Sequence, residues 1–336
     1  MARRYAVLGA GSWGTALALV LARNGHGVRL WGHDPAAIRL MTETGYNPRY
    51  LSDIPLPAGI EPRADIASAL QGIDALVIVV PSHAFAGTLQ QVTGNLPAEI
   101  PVIWATKGLD AASGGLLHEL AGRALPGHPL AVLSGPSFAR EVARGLPTAV
   151  VLASHDQATA RALSRDFHDE RFRVYVSDDL LGVELGGAVK NVLAIATGIA
   201  DGLGFGANAR AGLITRGLAE IRRLGVSLGA DDRTLTGLAG MGDLILTCTD
   251  DQSRNRRMGL ALGRGNSIAE AADAIGEVVE GIRTAGEVGA LARRLAVELP
   301  ICQAVEAIVL NQQTPMAAAR GLMERQPGAE FGEWIG

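Results

Sequence analysis

Tyr5-Ala6-Val7-Leu8-Gly9-Ala10-Gly11-Ser12-Trp13-Gly14 decides how the first half of this chain folds. Tyr5–Gly9 reads as a short apolar strand, and the pattern from Gly14 to Asn24 is helical. Three glycines spaced as G-x-G-x-x-G sit where one becomes the other. Gly9 permits the tight turn. Gly11 lets the backbone approach a pyrophosphate, and Gly14 lets the helix pack closely on the strand. The helix N-terminus attracts the phosphate charge. In this strand–turn–helix setting the pattern points to a bound dinucleotide. The plainer alternative is a glycine-rich turn that serves packing alone.

Working outward, β-rich runs follow at Val28–Trp31, Ala75–Val80, Val102–Trp104, Ala131–Leu133, Ala149–Leu152 and Arg173–Val176. Helical patterns fall between most of them, at Ala36–Thr44, Ala64–Gln71 and Gln157–Phe167. This alternation predicts a parallel, doubly wound sheet, with antiparallel partners possible among the later strands. After about Ser177 the β-rich runs stop. Helical spacing continues through Leu180–Gly202, Ala209–Leu224, Ser253–Leu262, Ser267–Ala274, Thr284–Leu295, Pro300–Val309 and Pro315–Arg325. The expected fold class is α/β plus all-α: a Rossmann-type domain over residues 1–177 and an all-helical substrate domain over 178–336. The Gly- and Glu-rich last ten residues are expected to be loosely ordered.

The chain has 336 residues, enough for two domains, and its 48% apolar and 19% charged composition supplies each with a core. A net charge of −4 with no long basic run argues against nucleic acid and anionic membrane surfaces. Aromatic residues, at 4%, are too few to build stacking platforms for single strands. Cys248 and Cys302 lie in different segments without metal-ligand spacing, which suggests a reducing, cytoplasmic setting. No His/Cys/carboxylate cluster in the sequence suggests a metal. Arg3-Arg4 before an apolar stretch has the outline of a signal peptide, but Gly9, Gly11 and Gly14 break the run. Uninterrupted apolar runs such as Ala75–Val80 are far short of the ~20 residues a membrane span needs, so stable membrane insertion is not expected.

A second stretch carries chemistry: Gly182-Val183-Glu184-Leu185-Gly186-Gly187-Ala188-Val189-Lys190-Asn191. It reads as a buried helix with a lysine in its middle. Helical side chains lean over the preceding turn, which places Lys190 over Gly186 and Gly187. A bare patch there implies a tight helix crossing or a ligand site, and the surrounding motifs favour room for a substrate. Burial can lower a lysine pKa far enough for it to act as a base near neutrality. A lysine snorkelling to the surface is the bland alternative.

Four further segments join it. Lys107, in Ala105-Thr106-Lys107-Gly108, follows the carboxyl end of a strand, where ligands bind in open α/β sheets, although a solvated loop lysine would read the same. Ser134-Gly135-Pro136-Ser137-Phe138-Ala139 is a small-residue turn after another strand. Asp243, in Gly240-Met241-Gly242-Asp243, could pair with Lys190, accept from a substrate or simply cap a helix. Ser253-Arg254-Asn255-Arg256-Arg257 opens a helix, where free N–H groups and an arginine fork suit a phosphate. The second strand ends at Trp31-Gly32-His33-Asp34. Asp34 could accept from a ribose hydroxyl or His33 could meet a 2′-phosphate, which leaves NAD and NADP both open.

Taken in order along the chain, these segments closely resemble the bacterial-type NAD(P)-dependent glycerol-3-phosphate dehydrogenases. The resemblance takes in Gly9–Gly14, Ala105–Gly108, Leu133–Ala139 with Glu141, Gly182–Asn191, Gly237–Asp243, Ser253–Asn255, Val279-Glu280-Gly281 and Glu298-Leu299-Pro300-Ile301. It implies interconversion of sn-glycerol 3-phosphate and dihydroxyacetone phosphate, feeding glycerophospholipid synthesis. By position it makes Lys190 the proton acceptor and Lys107 a contact to both substrate and cofactor. Asp243, Ser253, Arg254 and Asn255 match the substrate side, Thr247 a further hydroxyl at the catalytic site, and Gly135 and Ser137 the substrate lining. Ser12, Trp13, His33, Ala139, Val278 and Glu280 match cofactor positions, with Arg254 shared and Tyr50 added. The resemblance also implies closure of the two domains over a small phosphorylated substrate, and is compatible with a homodimer through the helical domain. Two rival readings are a related dehydrogenase acting on a β-hydroxyacid or ketopantoate-like substrate, and a non-catalytic nucleotide-sensing module.

Overall fold

The computed structural model describes residues 2–97, 99–110 and 112–326, so the expectation for the last ten residues falls outside the described residues. Among the described residues, eight strands form the main sheet. They are β1 (Arg4–Leu8), β2 (Gly27–Trp31), β5 (Ile60–Arg63), β6 (Ala75–Ile78), β7 (Val102–Trp104), β8 (Leu130–Ser134), β9 (Thr148–Ala153) and β10 (Phe172–Ser177). A small antiparallel hairpin, β3 (Tyr46–Asn47) and β4 (Leu51–Pro55), stands apart. The sheet order is β10-β9-β8-β7-β6-β1-β2-β5. Its pairings are parallel except β8 with β9. From β5 to β8 this is the order of a doubly wound dinucleotide-binding sheet, whose direction of winding reverses between β1 and β6. Ligands bind such sheets outside the carboxyl ends of the strands at that reversal.

The sequence reading omitted β5, β3 and β4. β5 holds Pro62 and lies on the sheet edge, where a missing N–H breaks no ladder but weakens any strand signal. The helix expected over Ala64–Gln71 is only Ile66–Leu70, because Asp65 caps its start by accepting from Ser68 N at 2.8 Å. The sequence does not mark the crossover helices Ser82–Val92 and Leu117–Ala124, nor the helix Ala139–Ala143 between the antiparallel strands β8 and β9.

Two residues separate the end of β10 from the start of the helical part, the helix Leu180–Gly202. By length and composition alone this helix could cross a membrane, but 89% of its most apolar window is buried inside the protein. Counting uninterrupted apolar runs had missed it, because glycines dilute the run without ending the helix. It is the spine of the helical part, with Gly206–Ser227, Arg254–Gly263 and Glu280–Leu295 packed around it. Its crossing with Arg254–Gly263 is backbone to backbone: a Cβ on Gly198 would stand 2.2 Å from the carbonyl oxygen of Arg256.

The two parts share their cores. Leu109 and Leu116, from the loop after β7, are buried in the helical cluster with Leu185, Val189 and Leu291. In return Leu180, Val183 and Ala239 are buried in a sheet-side cluster with Phe85, Trp104 and Leu117. Interfaces of this apolar, interlocked kind resist relative domain motion.

Candidate active site

The glycine turn is built for a phosphate. Gly9 has φ +123°, and a Cβ there would stand 2.5 Å from Val79 O. A Cβ on Gly14 would stand 1.8 Å from Gly9 O, so close helix–strand packing requires that glycine. Gly11 differs: a Cβ there would have nothing within 4 Å. Among the described residues no atom requires glycine at that position, and the space is open to the close approach of a ligand. The helix Ser12–Arg23 begins there with no side-chain cap, which leaves its first N–H groups free for an anion. The buried Trp13 Nε1 also lacks a protein partner. These features fit a dinucleotide.

At the second strand's end, Asp34 spends Oδ1 on capping the helix Pro35–Thr44, accepting from Ala36 N at 2.9 Å and Ala37 N at 3.3 Å. His33 is exposed. Tyr50 packs against the sheet and carries the Arg49 guanidinium 5.3 Å from its ring centre. Ala139 opens the helix Ala139–Ala143 at the strand ends.

At the candidate centre a carboxylate lies between two lysines. Lys190 projects from the central helix and donates to Asp243 Oδ1 at 2.5 Å and Thr247 Oγ1 at 2.9 Å. Lys107, reaching in from the loop after β7, donates to Asp243 Oδ2 at 2.7 Å and to Gly135 O at 3.1 Å. Asp243 and Thr247 lie one turn apart on the helix Asp243–Thr249, and Thr247 Oγ1 donates to Asp243 O at 2.6 Å. A π-helical turn, Leu238–Gly242, leads directly into that helix. Asp243 is therefore not the helix cap that the sequence allowed, but its first residue. Burial pushes the Lys190 ammonium down to about 8, and Lys107 adds to the fall, while Asp243 opposes it. Lys190 is 7% exposed, so it does not snorkel.

The bare patch beside Lys190 is filled. A Cβ on Gly186 would stand 2.6 Å from Ala239 O, and one on Gly187 would stand 2.6 Å from Ser134 Oγ and 3.6 Å from Lys107 Cγ. This corrects the expectation of substrate room at Gly186-Gly187. The glycines instead make a tight crossing that admits the π turn on one side and Lys107 on the other. Gly135 and Ser137 adjoin this centre, with Ser137 Oγ donating to Gly135 O at 3.0 Å. Ser134, whose role the sequence left open, is the group that abuts Gly187; its buried Oγ has no protein partner.

The side chains of the Ser253–Asn255 segment bond within the protein. Ser253 Oγ caps the helix by accepting from Arg256 N at 3.1 Å. Asn255 is an internal clamp: its Nδ2 donates to Asn191 Oδ1 at 2.9 Å and its Oδ1 accepts from Gly281 N at 2.9 Å. Arg254 pairs with Glu277 at 3.0 Å and is part-exposed, and Val278 nearby in sequence is exposed. Glu280 accepts from Ser82 Oγ at 2.9 Å, tying the helical part to the first helix after β6. Both cysteines are buried, and burial pushes the Cys248 thiol up to about 12, so thiolate chemistry does not arise there. A cavity of about 500 Å³ between Ile199, Leu213, Ile301, Ile308 and Leu322 is mostly apolar, with Arg216, Glu220 and Arg223 also in its lining, and holds none of these groups.

Fold and centre together define a dinucleotide-dependent dehydrogenase with a Rossmann part and a helical part. Residues 4–160 match the family model for the N-terminus of NAD-dependent glycerol-3-phosphate dehydrogenase, and residues 179–320 match the model for its C-terminus. The chain belongs to the glycerol-3-phosphate dehydrogenase family. It is 57% identical to a glycerol-3-phosphate dehydrogenase [NAD(P)+] of Alkalilimnicola ehrlichii, covering 98% of this chain and 99% of that one. A second from Halorhodospira halophila is 55% identical, with 98% and 99% covered. The crystal structure of glycerol-3-phosphate dehydrogenase from Coxiella burnetii superimposes with a TM-score of 0.94 at 49% identity, covering 96% of this chain and 99% of that chain. A ketopantoate reductase from Ralstonia eutropha shares the fold alone, with a TM-score of 0.60 at 17% identity. As a family member, the chain is an NAD(P)-dependent oxidoreductase acting on a CH–OH donor.

Proposed function

We propose that the Lys107–Asp243–Lys190 centre interconverts sn-glycerol 3-phosphate and dihydroxyacetone phosphate, with Lys190 moving the proton. The observation that carries this reading is a buried lysine, lowered to about 8, held between a carboxylate and a hydroxyl where the two parts of the chain meet. A bound nicotinamide supplies or accepts the hydride. In the oxidative direction neutral Lys190 takes the alcohol proton. In the reductive direction its ammonium gives that proton to the forming alkoxide. Lys107 polarises the carbonyl oxygen as charge develops on it. Asp243 holds both lysines, and Thr247 fixes Lys190 from its other side. Gly9, Gly11, Ser12, Trp13 and Gly14 would hold the pyrophosphate, with His33, Tyr50, Ala139, Val278 and Glu280 along the rest of the cofactor.

Arg254 would hold the substrate phosphate once it leaves Glu277, with Ser253 at its base, and Gly135 and Ser137 would line the opposite wall. Asn255 contributes by fixing Asn191 and Gly281. The division of labour follows a cofactor domain over residues 1–177 and a substrate domain over 178–336. The product would supply glycerophospholipid synthesis in the cytoplasm. A homodimer is compatible with this reading, and burial of the central helix favours a protein that does not insert in membranes.

The test is NADH and NADPH oxidation with dihydroxyacetone phosphate and with unphosphorylated dihydroxyacetone, by the native protein and Arg254→Ala. The reading expects turnover only with the phosphorylated ketone, and a KM for it raised on the order of 10-fold or more in the variant. Equal use of both ketones would overturn it.

A further inference from the structure

Glu184 is the charged residue of the Gly182–Asn191 stretch for which the reaction above has no use. It lies two turns before Lys190 on the same helix and is 3% exposed. Its Oε1 accepts from Leu117 N at 2.6 Å and from His118 N at 3.2 Å, and its Oε2 lies 2.6 Å from His118 Nδ1. Leu117 and His118 begin the helix Leu117–Ala124, which has no cap from its own N-cap residue, Leu116. Helix starts are ordinarily capped locally, by a Ser, Thr, Asp or Asn at the N-cap. Here the cap comes from 67 residues away, on the helix that carries the reacting lysine.

The segment between Lys107 and His118 is fastened at both ends to that one helix. At its start, Lys107 lies along Gly187 and shares Asp243 with Lys190. In its middle, Leu109 and Leu116 are buried in the helical core. At its end, Glu184 holds the first two N–H groups of the helix it enters. A carboxylate buried this deeply is costly unless fully hydrogen-bonded, and these bonds satisfy it only while the two parts keep this register. Burial pushes the Glu184 carboxyl up, and the neighbouring carboxylate holds His118 above its ordinary value.

We propose that Glu184 is a positioning residue for the reaction, seating the 107–118 segment on the lysine-bearing helix and so setting where Lys107 and Lys190 meet on Asp243. This rests on the reading of those two lysines as the reacting pair. Domain closure, where it occurs, then leaves this seam intact, and the distance between the lysines is fixed before substrate arrives.

The experiment compares Glu184→Ala, Glu184→Gln and His118→Ala with the native enzyme and with Lys190→Ala. It measures kcat, KM for dihydroxyacetone phosphate and for NADH, the pH profile of the reductive rate, and thermal unfolding. Misplacing a reacting group by about 1 Å costs on the order of 100-fold, so Glu184→Ala should lose ~10–100-fold in kcat. KM for NADH should stay within about twofold, because the glycine turn is untouched. The alkaline fall in rate should move to higher pH as a loosened Lys190 regains water. Glu184→Gln keeps an oxygen for the backbone N–H groups and should recover most of the lost kcat. A drop in unfolding temperature with kcat and pH profile unchanged makes Glu184 merely structural and overturns the proposal. If Glu184→Ala does not fold, His118→Ala decides, because it removes one of the contacts that seat the segment on Glu184. A reduced kcat with a shifted pH profile there supports the proposal, and an unchanged kcat and pH profile overturns it. If Lys190→Ala keeps full turnover, the base reading fails first and this proposal with it. Loss of turnover there, with Glu184 variants native in kcat, fails this proposal alone.

Discussion

Oδ1 of Asp243 stands 2.5 Å from Lys190 Nζ, with the carboxylate side chain 1% and the lysine side chain 9% exposed. Removing one partner from a buried pair leaves an uncompensated charge, which is strongly destabilising. Asp243 is protected from that outcome, because Lys107 holds its other oxygen. The arrangement lets Lys190 lose or gain a proton while the carboxylate keeps a cationic neighbour.

The pH dependence follows from Lys190 being lowered to about 8. The reductive direction needs the ammonium, so its rate is expected to fall as pH rises through about 8. The oxidative direction needs the free amine and is expected to rise over the same range. Asp243 raises the Lys190 pKa, so Asp243→Asn should move the reductive fall to lower pH and reduce kcat at neutrality by on the order of 100-fold. Rate profiles in both directions check this. A fall at unchanged pH in the variant contradicts Asp243 as the group that sets the pKa.

The glycine turn separates packing from ligand approach. Gly14→Ala places a Cβ 1.8 Å from a carbonyl oxygen and should lower the unfolding temperature sharply or prevent folding. Gly11→Ala meets open space. It should unfold near the native temperature while binding NADH on the order of 10-fold more weakly. Calorimetry with and without NADH distinguishes the two. Native NADH affinity in Gly11→Ala would show that the pyrophosphate does not approach there.

The helix crossing beneath Lys190 gives a third expectation. Gly187→Ala pushes a Cβ to 2.6 Å from Ser134 Oγ, and should destabilise the fold and reduce kcat through Lys107. Removing that hydroxyl, in Gly187→Ala with Ser134→Ala, should recover most of both losses. A double-mutant cycle reads the coupling, expected at about 1 kcal/mol or more. Strictly additive effects would mean that the contact does not govern the crossing.

What could be read from sequence followed the range of each signal. Gly9–Gly14 and the strands β1, β2, β6 and β7 were legible because a local motif and a short apolar run each determine them. β5 was not, since Pro62 hides an edge strand. Lys190 and Asp243 were each visible, and their pairing was among the options. The share that Lys107 takes of the same carboxylate was not, because 136 residues separate the two and nothing local records the contact. Gly186 and Gly187 were seen as a bare patch, but sequence could not show that Ala239, Ser134 and Lys107 fill it. Asn255 was put on the substrate side by the resemblance, and sequence could not show that its amide links three helices. Asn191, inside the quoted stretch, could have suggested that link, as a polar residue on an otherwise apolar helix.

The central claim is that Lys190 moves the proton. The direct measurement is single-turnover reduction of dihydroxyacetone phosphate by Lys190→Ala, alongside its NADH affinity. The account expects turnover lower by ~100–10,000-fold, the scale of a lost general acid, with NADH affinity near native because the glycine turn is distant in the chain and intact. Turnover within a few-fold of native, at native NADH affinity, would contradict it.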